Sequence, residues 1–248
     1  MKPEKRAPTK RASFTWSGEP VPSVFASGLL GLRAHFTRDD CERWTRGTYA
    51  AREEWTADFG DDQYSLGRAF YTHLEQGKSG SYFADATASD ARVEAHAPGL
   101  QSAMRDLGAA IVNGAVRPRR GWCSSGIHVF PAGGHAAKHG GVVHFDTEGL
   151  TVHHLARRGR ALSIVAMLQA PVKGGGLRVW DATYIGDDGA PAGYARTPNV
   201  TALYREGDVV AFDSYRLHQI QPFAGARDRI SATLHLVEVD AGQWESWF

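Results

Sequence analysis

Two histidines and an aspartate, His144, Asp146 and His218, stand in an order that can hold a divalent metal. Residues two apart on a strand point to one face, so the His144 imidazole and the Asp146 carboxylate converge while Phe145 faces away. His218 lies in a second β-rich run, 216–220. Two imidazoles and one carboxylate on one side of an ion leave three positions open, as iron-based oxygen chemistry requires. A lone His-x-Asp pair is common by chance, so its weight depends on what accompanies it.

Arg229 and Ser231 accompany it, entering a run that continues through Ala232, Thr233, Leu234 and His235 to Leu236. By parity Arg229, Ser231 and Thr233 share one face, and Ile230, Ala232, Leu234 and Leu236 the other. A guanidinium grips a carboxylate through two parallel hydrogen bonds, and the Ser231 hydroxyl adds a third donor, which suits the tail of a dicarboxylate. Arg227 has the same parity. Arg229 is preferred because Ser231 follows it and because it lies farther into the strand. The plain alternative for Arg229 is a surface salt bridge to Asp228 or Glu206.

The order His-x-Asp, distal His, Arg-x-Ser resembles the Fe(II)/2-oxoglutarate-dependent dioxygenase superfamily over roughly residues 125–240. Two further stretches look similar: the glycine turn at 173–177 and the run 207–212 before the distal histidine. The resemblance implies a double-stranded β-helix, or jelly-roll, core with helices buttressing one sheet. It implies Fe(II) on His144, Asp146 and His218, with 2-oxoglutarate held at its tail by Arg229 and Ser231, and O2 as oxidant. The implied reaction couples decarboxylation to succinate with oxidation of an unactivated C–H bond. Asp146 occupies the place that related halogenases give to Gly or Ala, so hydroxylation is the leading expected outcome, with desaturation or ring closure on the same ligands as the alternatives. Nucleic-acid demethylases of the superfamily usually carry a second arginine six positions beyond the first, where this chain has His235. Many prolyl hydroxylases use lysine for the co-substrate tail, a further departure. The expected substrate is a small molecule such as a free amino acid or related metabolite, with a protein side chain as the runner-up. A cupin-type metalloenzyme, with His153 or His154 joining His144 and His218, is the other alternative. It leaves Arg229 and Ser231 without a task.

Candidate substrate contacts are Thr147 and Glu148, which directly follow the metal motif, together with His153, His154, Arg157, Arg158, Trp122 and Trp180. Arg157 or Arg158 would pair the carboxylate of an amino-acid substrate. His135 and His139 have helical spacing but sit between Gly133–Gly134 and Gly140–Gly141, a poor helix setting, and are expected in a loop.

The elements that position these residues fall into two halves. Thr37 is a natural N-cap, with Asp39 and Asp40 near the positive end of a helix bearing Cys41 and Trp44. Residues 64–74 alternate weakly and are expected as a strand. Pro98 opens a helix in which Leu100, Met104, Leu107 and Ile111 recur at helical spacing, ended by Gly114. After residue 120, short β-rich runs at 127–130, 142–145, 162–168, 177–180, 208–212, 217–220 and 230–239 alternate with glycine turns. Helices first and strands after point to an α+β fold rather than a doubly wound sheet. Residues 1–20 are expected as a flexible basic tail and 21–248 as one catalytic domain. Its helical part spans about 35–115 and its jelly-roll core about 120–240.

The chain has 248 residues, 42% hydrophobic and 22% charged, with a net charge of +1, ordinary globular values that argue against a nucleic-acid surface. Two distant cysteines suggest a reducing, cytoplasmic setting without a disulfide framework. No apolar run reaches the length of a membrane span, so no membrane partner is expected.

Overall fold

A computed structural model describes residues 9–11 and 28–248. In chain order its strands and helices are β1 (Thr9–Arg11), β2 (Leu29–Leu32), α1 (Arg38–Ala50), β3 (Thr56–Asp58), β4 (Gln63–Leu66), α2 (Phe70–Glu75), α3 (Ser79–His96), α4 (Leu100–Val112), β5 (Ala115–Pro118), β6 (Gly126–Phe130), α5 (His135–His139), α6 (Val152–Arg157), β7 (Ala161–Gln169), β8 (Lys173–Gly174), β9 (Leu177–Thr183), β10 (Asn199–Ala202), β11 (Val209–Asp213), β12 (Arg216–Ile220), β13 (Phe223–Ala224), β14 (Arg229–Asp240) and β15 (Gln243–Trp247).

A large sheet runs in the order β2-β11-β7-β14-β6-β4-β3, with β15 on β14 and β5 on β15. A smaller sheet runs β1-β10-β9-β12. Period-two alternation assigns the two faces of the large sheet different work. On β14, Ile230, Ala232, Leu234 and Leu236 join Ile164, Ala166 and Leu168 of β7 and Val209 and Ala211 of β11 in one apolar cluster. Trp44 of α1, Val93 of α3 and Leu100, Met104 and Leu107 of α4 cover that face. Each buried Leu, Ile, Val or Met among them contributes roughly 1.5–3 kcal/mol by leaving water. The opposite face turns Met167, Val210 and Phe212 toward Leu177 and Val179 of the small sheet. The helices therefore clamp one side of the sheet and leave the other to form a cavity with its partner.

The caps follow their chemistry. The Thr37 hydroxyl accepts a 3.1 Å bond from the Asp40 amide, and α1 buries Cys41, Trp44, Thr45 and Thr48 at helical spacing. Four expectations need revision. Residues 64–74 are not one strand: β4 ends at Leu66, Gly67 takes a φ of +93°, and α2 follows, burying Phe70, Thr72 and His73. Residues 142–145 form no strand, only a bridge between His144 and His218. His135–His139 is helical rather than loop, because Gly134 and Gly140 serve as its caps and not its interior, while Ala136 and Ala137 pack on Phe130 and Phe223. Within the expected tail, Thr9–Arg11 pairs in parallel with Asn199–Thr201, and the rest of residues 1–20 lies outside the described residues. Among the described residues no helix is long and apolar enough to cross a membrane.

Candidate metal centre and the cavity around it

His144 and His218 come from separate segments held together by two backbone hydrogen bonds. The His144 amide donates to the His218 carbonyl at 3.2 Å, and the His218 amide returns the bond at 2.9 Å. The Asp146 amide donates to the Ser214 carbonyl at 3.0 Å, fixing the third residue beside them. Phe145 turns the other way, edge-on to Tyr184. The ligand atoms of His144, Asp146 and His218 lie within 4.8 Å of one another. Asp146 Oδ1 is 3.3 Å from His144 Nε2 and 3.4 Å from His218 Nε2.

The donor set fits a metal. His144 Nδ1 lies 2.9 Å from the Val142 carbonyl, and His218 Nδ1 lies 3.0 Å from the Arg216 carbonyl. A carbonyl only accepts, so both Nδ1 atoms carry a hydrogen, which leaves both Nε2 atoms, on the side of Asp146, as the nitrogens able to give a lone pair to a metal. Without an ion, the charges redistribute. Burial works against a charged His144, but the hydrogen bond and charge of Asp146 outweigh it and raise its pKa to about 9. Burial likewise opposes the Asp146 carboxylate, yet His218 and His144 hold its pKa well below the usual range. A divalent cation would take over the part that these protons play.

Arg229 is buried, with 1% of its surface exposed. Its Nε donates to the Gly175 carbonyl at 3.1 Å, one terminal nitrogen donates to Ser231 Oγ at 2.9 Å, and the other donates to the Tyr204 hydroxyl. Among the described residues no carboxylate pairs with it. The surface pair belongs instead to Arg227, which binds Glu206. Burying a guanidinium without a counter-charge is costly, so the pocket favours an anion at this point. Gly175 sits at a φ of +71°, and a Cβ there would stand 2.7 Å from Pro171 Cγ, so the turn that offers its carbonyl to Arg229 needs glycine.

One cavity of about 440 Å³ contains both the triad and Arg229. Val165, Leu177, Phe212 and Ile220 give it apolar walls. Its outer part is rimmed by Phe59, Asp62, Gln63, Tyr71, Glu75 and Val142. Thr233 and His235 continue the line of Arg229 and Ser231 along β14, as parity predicts.

Most of the other candidate residues stand outside this lining. Thr147 is buried and donates to Asp188 at 2.7 Å. Trp122 packs against Phe70 and Trp247, and Trp180 sits edge-on to Tyr194 in the core. His153, Arg157 and Arg158 are exposed on or just after α6, with Arg158 lying over Tyr184 and Tyr215. His154 helps cap the same helix through Thr151. Glu148 is nearer: with Asp146, Tyr71 and His235 it borders a small void behind the centre. Burial, with Asp146 close by, raises its pKa to about 7.

Sequence reasoning missed Tyr204, His128, Gln63 and Tyr71 at the cavity. His235 and His128 carry a signal in strand parity, one on β14 and one on β6. Tyr204 lies two residues beyond the end of β10, and Gln63 and Tyr71 come from the start of β4 and from α2, where no local pattern points at a cavity in the distant β half.

No family model matches the chain, and no curated protein matches it. Among solved structures, it is similar to the non-heme alpha ketoglutarate dependent carbocyclase SnoK from nogalamycin biosynthesis, at 15% identity over 92% of this chain and 88% of that one, TM-score 0.57. The epimerase SnoN in complex with Fe3+, alpha ketoglutarate and nogalamycin RO is similar at 15% identity over 83% and 77%, TM-score 0.53. A Trichoplax adhaerens prolyl hydroxylase in complex with a hypoxia inducible factor peptide fragment matches at 12% identity over 89% and 87%, TM-score 0.51. SnoK is thus alpha ketoglutarate dependent and SnoN was solved with Fe3+ and alpha ketoglutarate, and the chain shares the mixed helix and antiparallel-sheet fold of these neighbours.

Proposed function

We propose that this protein is an Fe(II)- and 2-oxoglutarate-dependent oxygenase that hydroxylates an unactivated C–H bond of a small molecule. The observation that carries the reading is Arg229: a buried guanidinium without a carboxylate partner among the described residues, in the same cavity as the His144, Asp146 and His218 ligand set.

The strand order supports a double-stranded β-helix core within one catalytic domain. From β6 onward the main strands alternate between the two sheets, as β6, the His144 segment, β7, β9, β10, β11, β12 and β14, with only β9 and β10 consecutive in one sheet. The metal ligands belong to the bridge between the His144 segment and β12, and the anion anchor to β14 across the cavity. His144, Asp146 and His218 would hold the iron on one face. Arg229, Ser231 and Tyr204 would hold the far carboxylate of the keto acid, and Gly175 aims the guanidinium. Val165, Leu177, Phe212 and Ile220 exclude water from the space between. When bound, the iron, keto acid and dioxygen supply oxidation of a C–H bond with release of succinate and carbon dioxide. Asp146 fills the coordination place that a halide would need, which supports hydroxylation. The buried, unpaired Cys41 and Cys123 support a reducing, cytoplasmic setting.

Anaerobic addition of Fe(II) and 2-oxoglutarate tests this directly. The expected result is a weak visible charge-transfer band that H218A and R229A lose, together with 2-oxoglutarate-derived succinate in air. Absence of both the band and succinate from the wild-type protein would overturn the reading.

A further inference from the structure

The outer half of the cavity has a charge character of its own. Among the described residues lining the cavity Arg229 is the one lysine or arginine, and it is buried. The rim carries two exposed carboxylates, Asp62 and Glu75, beside the Phe59 and Tyr71 rings, whose centroids are 6.2 Å apart. The bound centre would not cancel this negative rim. The two charges of a divalent iron, Asp146, Arg229 and a doubly charged keto acid sum to zero. Within the same cavity the Thr233 hydroxyl offers a polar contact of its own to an entering molecule. Thr233 is only 7% exposed and lines the cavity, and its hydroxyl makes no hydrogen bond among the described residues. A hydroxyl open to the cavity is free to bond what enters it.

We infer that the substrate is an amine-bearing molecule whose ammonium group sits at the rim between Asp62 and Glu75, against the faces of Phe59 and Tyr71, while its neutral body passes Thr233 toward the iron. This rests on the proposed reading of the deep site, since it assigns Arg229 to the co-substrate and leaves no cation for a substrate acid. Carboxylates and aromatic faces both attract an ammonium group, and both repel or ignore an anion. The arrangement moves substrate recognition away from Arg157 and Arg158, which lie outside the cavity, and onto the β3–β4 connection and α2. A carboxylate-bearing substrate would meet two like charges at the entrance and no partner there.

The test uses three matched probes, 2-phenylethylamine, 2-phenylethanol and 3-phenylpropanoate, titrated anaerobically into the Fe(II)- and 2-oxoglutarate-loaded protein. Binding is read from changes in the charge-transfer band and from calorimetry, independent of turnover. The expected result is that the amine binds at least about tenfold tighter than the alcohol and the carboxylate. The preference over the alcohol should shrink to threefold or less in D62N/E75Q. Charge reversal in D62K/E75K should turn the preference toward the carboxylate. These positions are exposed, so folding is spared, and thermal melts verify it. An amine that binds no better than the alcohol, or not at all, would overturn the inference, as would a preference that survives in D62N/E75Q. If the charge-transfer band itself never forms, the oxygenase reading fails instead.

Discussion

His144 and His218 face each other as an antiparallel pair, each backbone amide bonded to the other's carbonyl at 3.2 and 2.9 Å. Each ring donates its Nδ1 hydrogen to the carbonyl two residues earlier in its own segment. Backbone pairing thus sets the separation of the two imidazoles, and local bonds set their tautomers. Asp146 is the one member of the triad that offers a negative charge to an ion.

Asp146→Ala should therefore abolish metal binding while leaving the backbone bridge intact. In wild-type protein, a divalent metal at one hundred times its dissociation constant should stabilise the fold by about 2.7 kcal/mol. The same addition should leave the melting temperature of D146A unchanged. Equal metal-induced shifts in both proteins would show that the ion binds elsewhere.

Tyr204→Phe removes one of three groups that contact the Arg229 guanidinium and share its pocket. Hydrogen bonds to charged groups contribute about 1.5–3 kcal/mol, so 2-oxoglutarate affinity should fall by roughly tenfold or more. Metal affinity measured without the keto acid should not change. A parallel loss of both would mean that Tyr204 supports the fold of the site rather than its anion.

Gly175→Ala probes the turn. The φ of +71° and the 2.7 Å approach of a new Cβ to Pro171 Cγ should cost roughly 1–3 kcal/mol in urea denaturation. The shift of the Gly175 carbonyl should also weaken 2-oxoglutarate binding, because Arg229 Nε loses its acceptor. Unaltered binding in a destabilised protein would separate the turn from the anchor.

His128 supplies a pH dependence. Burial, followed by the charges of His235 and Arg229, pushes its pKa down to about 3 from an ordinary 6.5. Between those values the unfolded chain binds a proton that the folded chain does not. Stability from this group is complete above pH 6.5 and falls as pH drops toward 3, by up to about 1.4 kcal/mol per pH unit. Urea midpoints at pH 7, 5.5 and 4.5 should converge between wild type and H128Q as pH falls. An unchanged gap across that range would assign the acid sensitivity to other groups.

Much of this was legible in the chain itself. Alternation on β14 separated Arg229, Ser231 and Thr233 from Ile230, Ala232 and Leu234, and the fold buries the second set under helices while the first set faces the cavity. Helical spacing in α1 and α4, and the Thr37 cap, were likewise local and readable. Less so were the short pieces. The glycines around His135 and His139 read as breakers, whereas they cap a helix of five residues whose alanines are buried. The 142–145 segment carried strand-like residues but pairs at a single point.

What the sequence determined by itself was which candidate residues of β14 share a face, because period-two geometry is a property of neighbouring residues. Only the tertiary structure decided that Tyr204 and Gly175 close around Arg229, and that Asp62 and Glu75 stand at the entrance. Those contacts join segments far apart in the chain. They depend on how two sheets face each other, and no local periodicity encodes that distance.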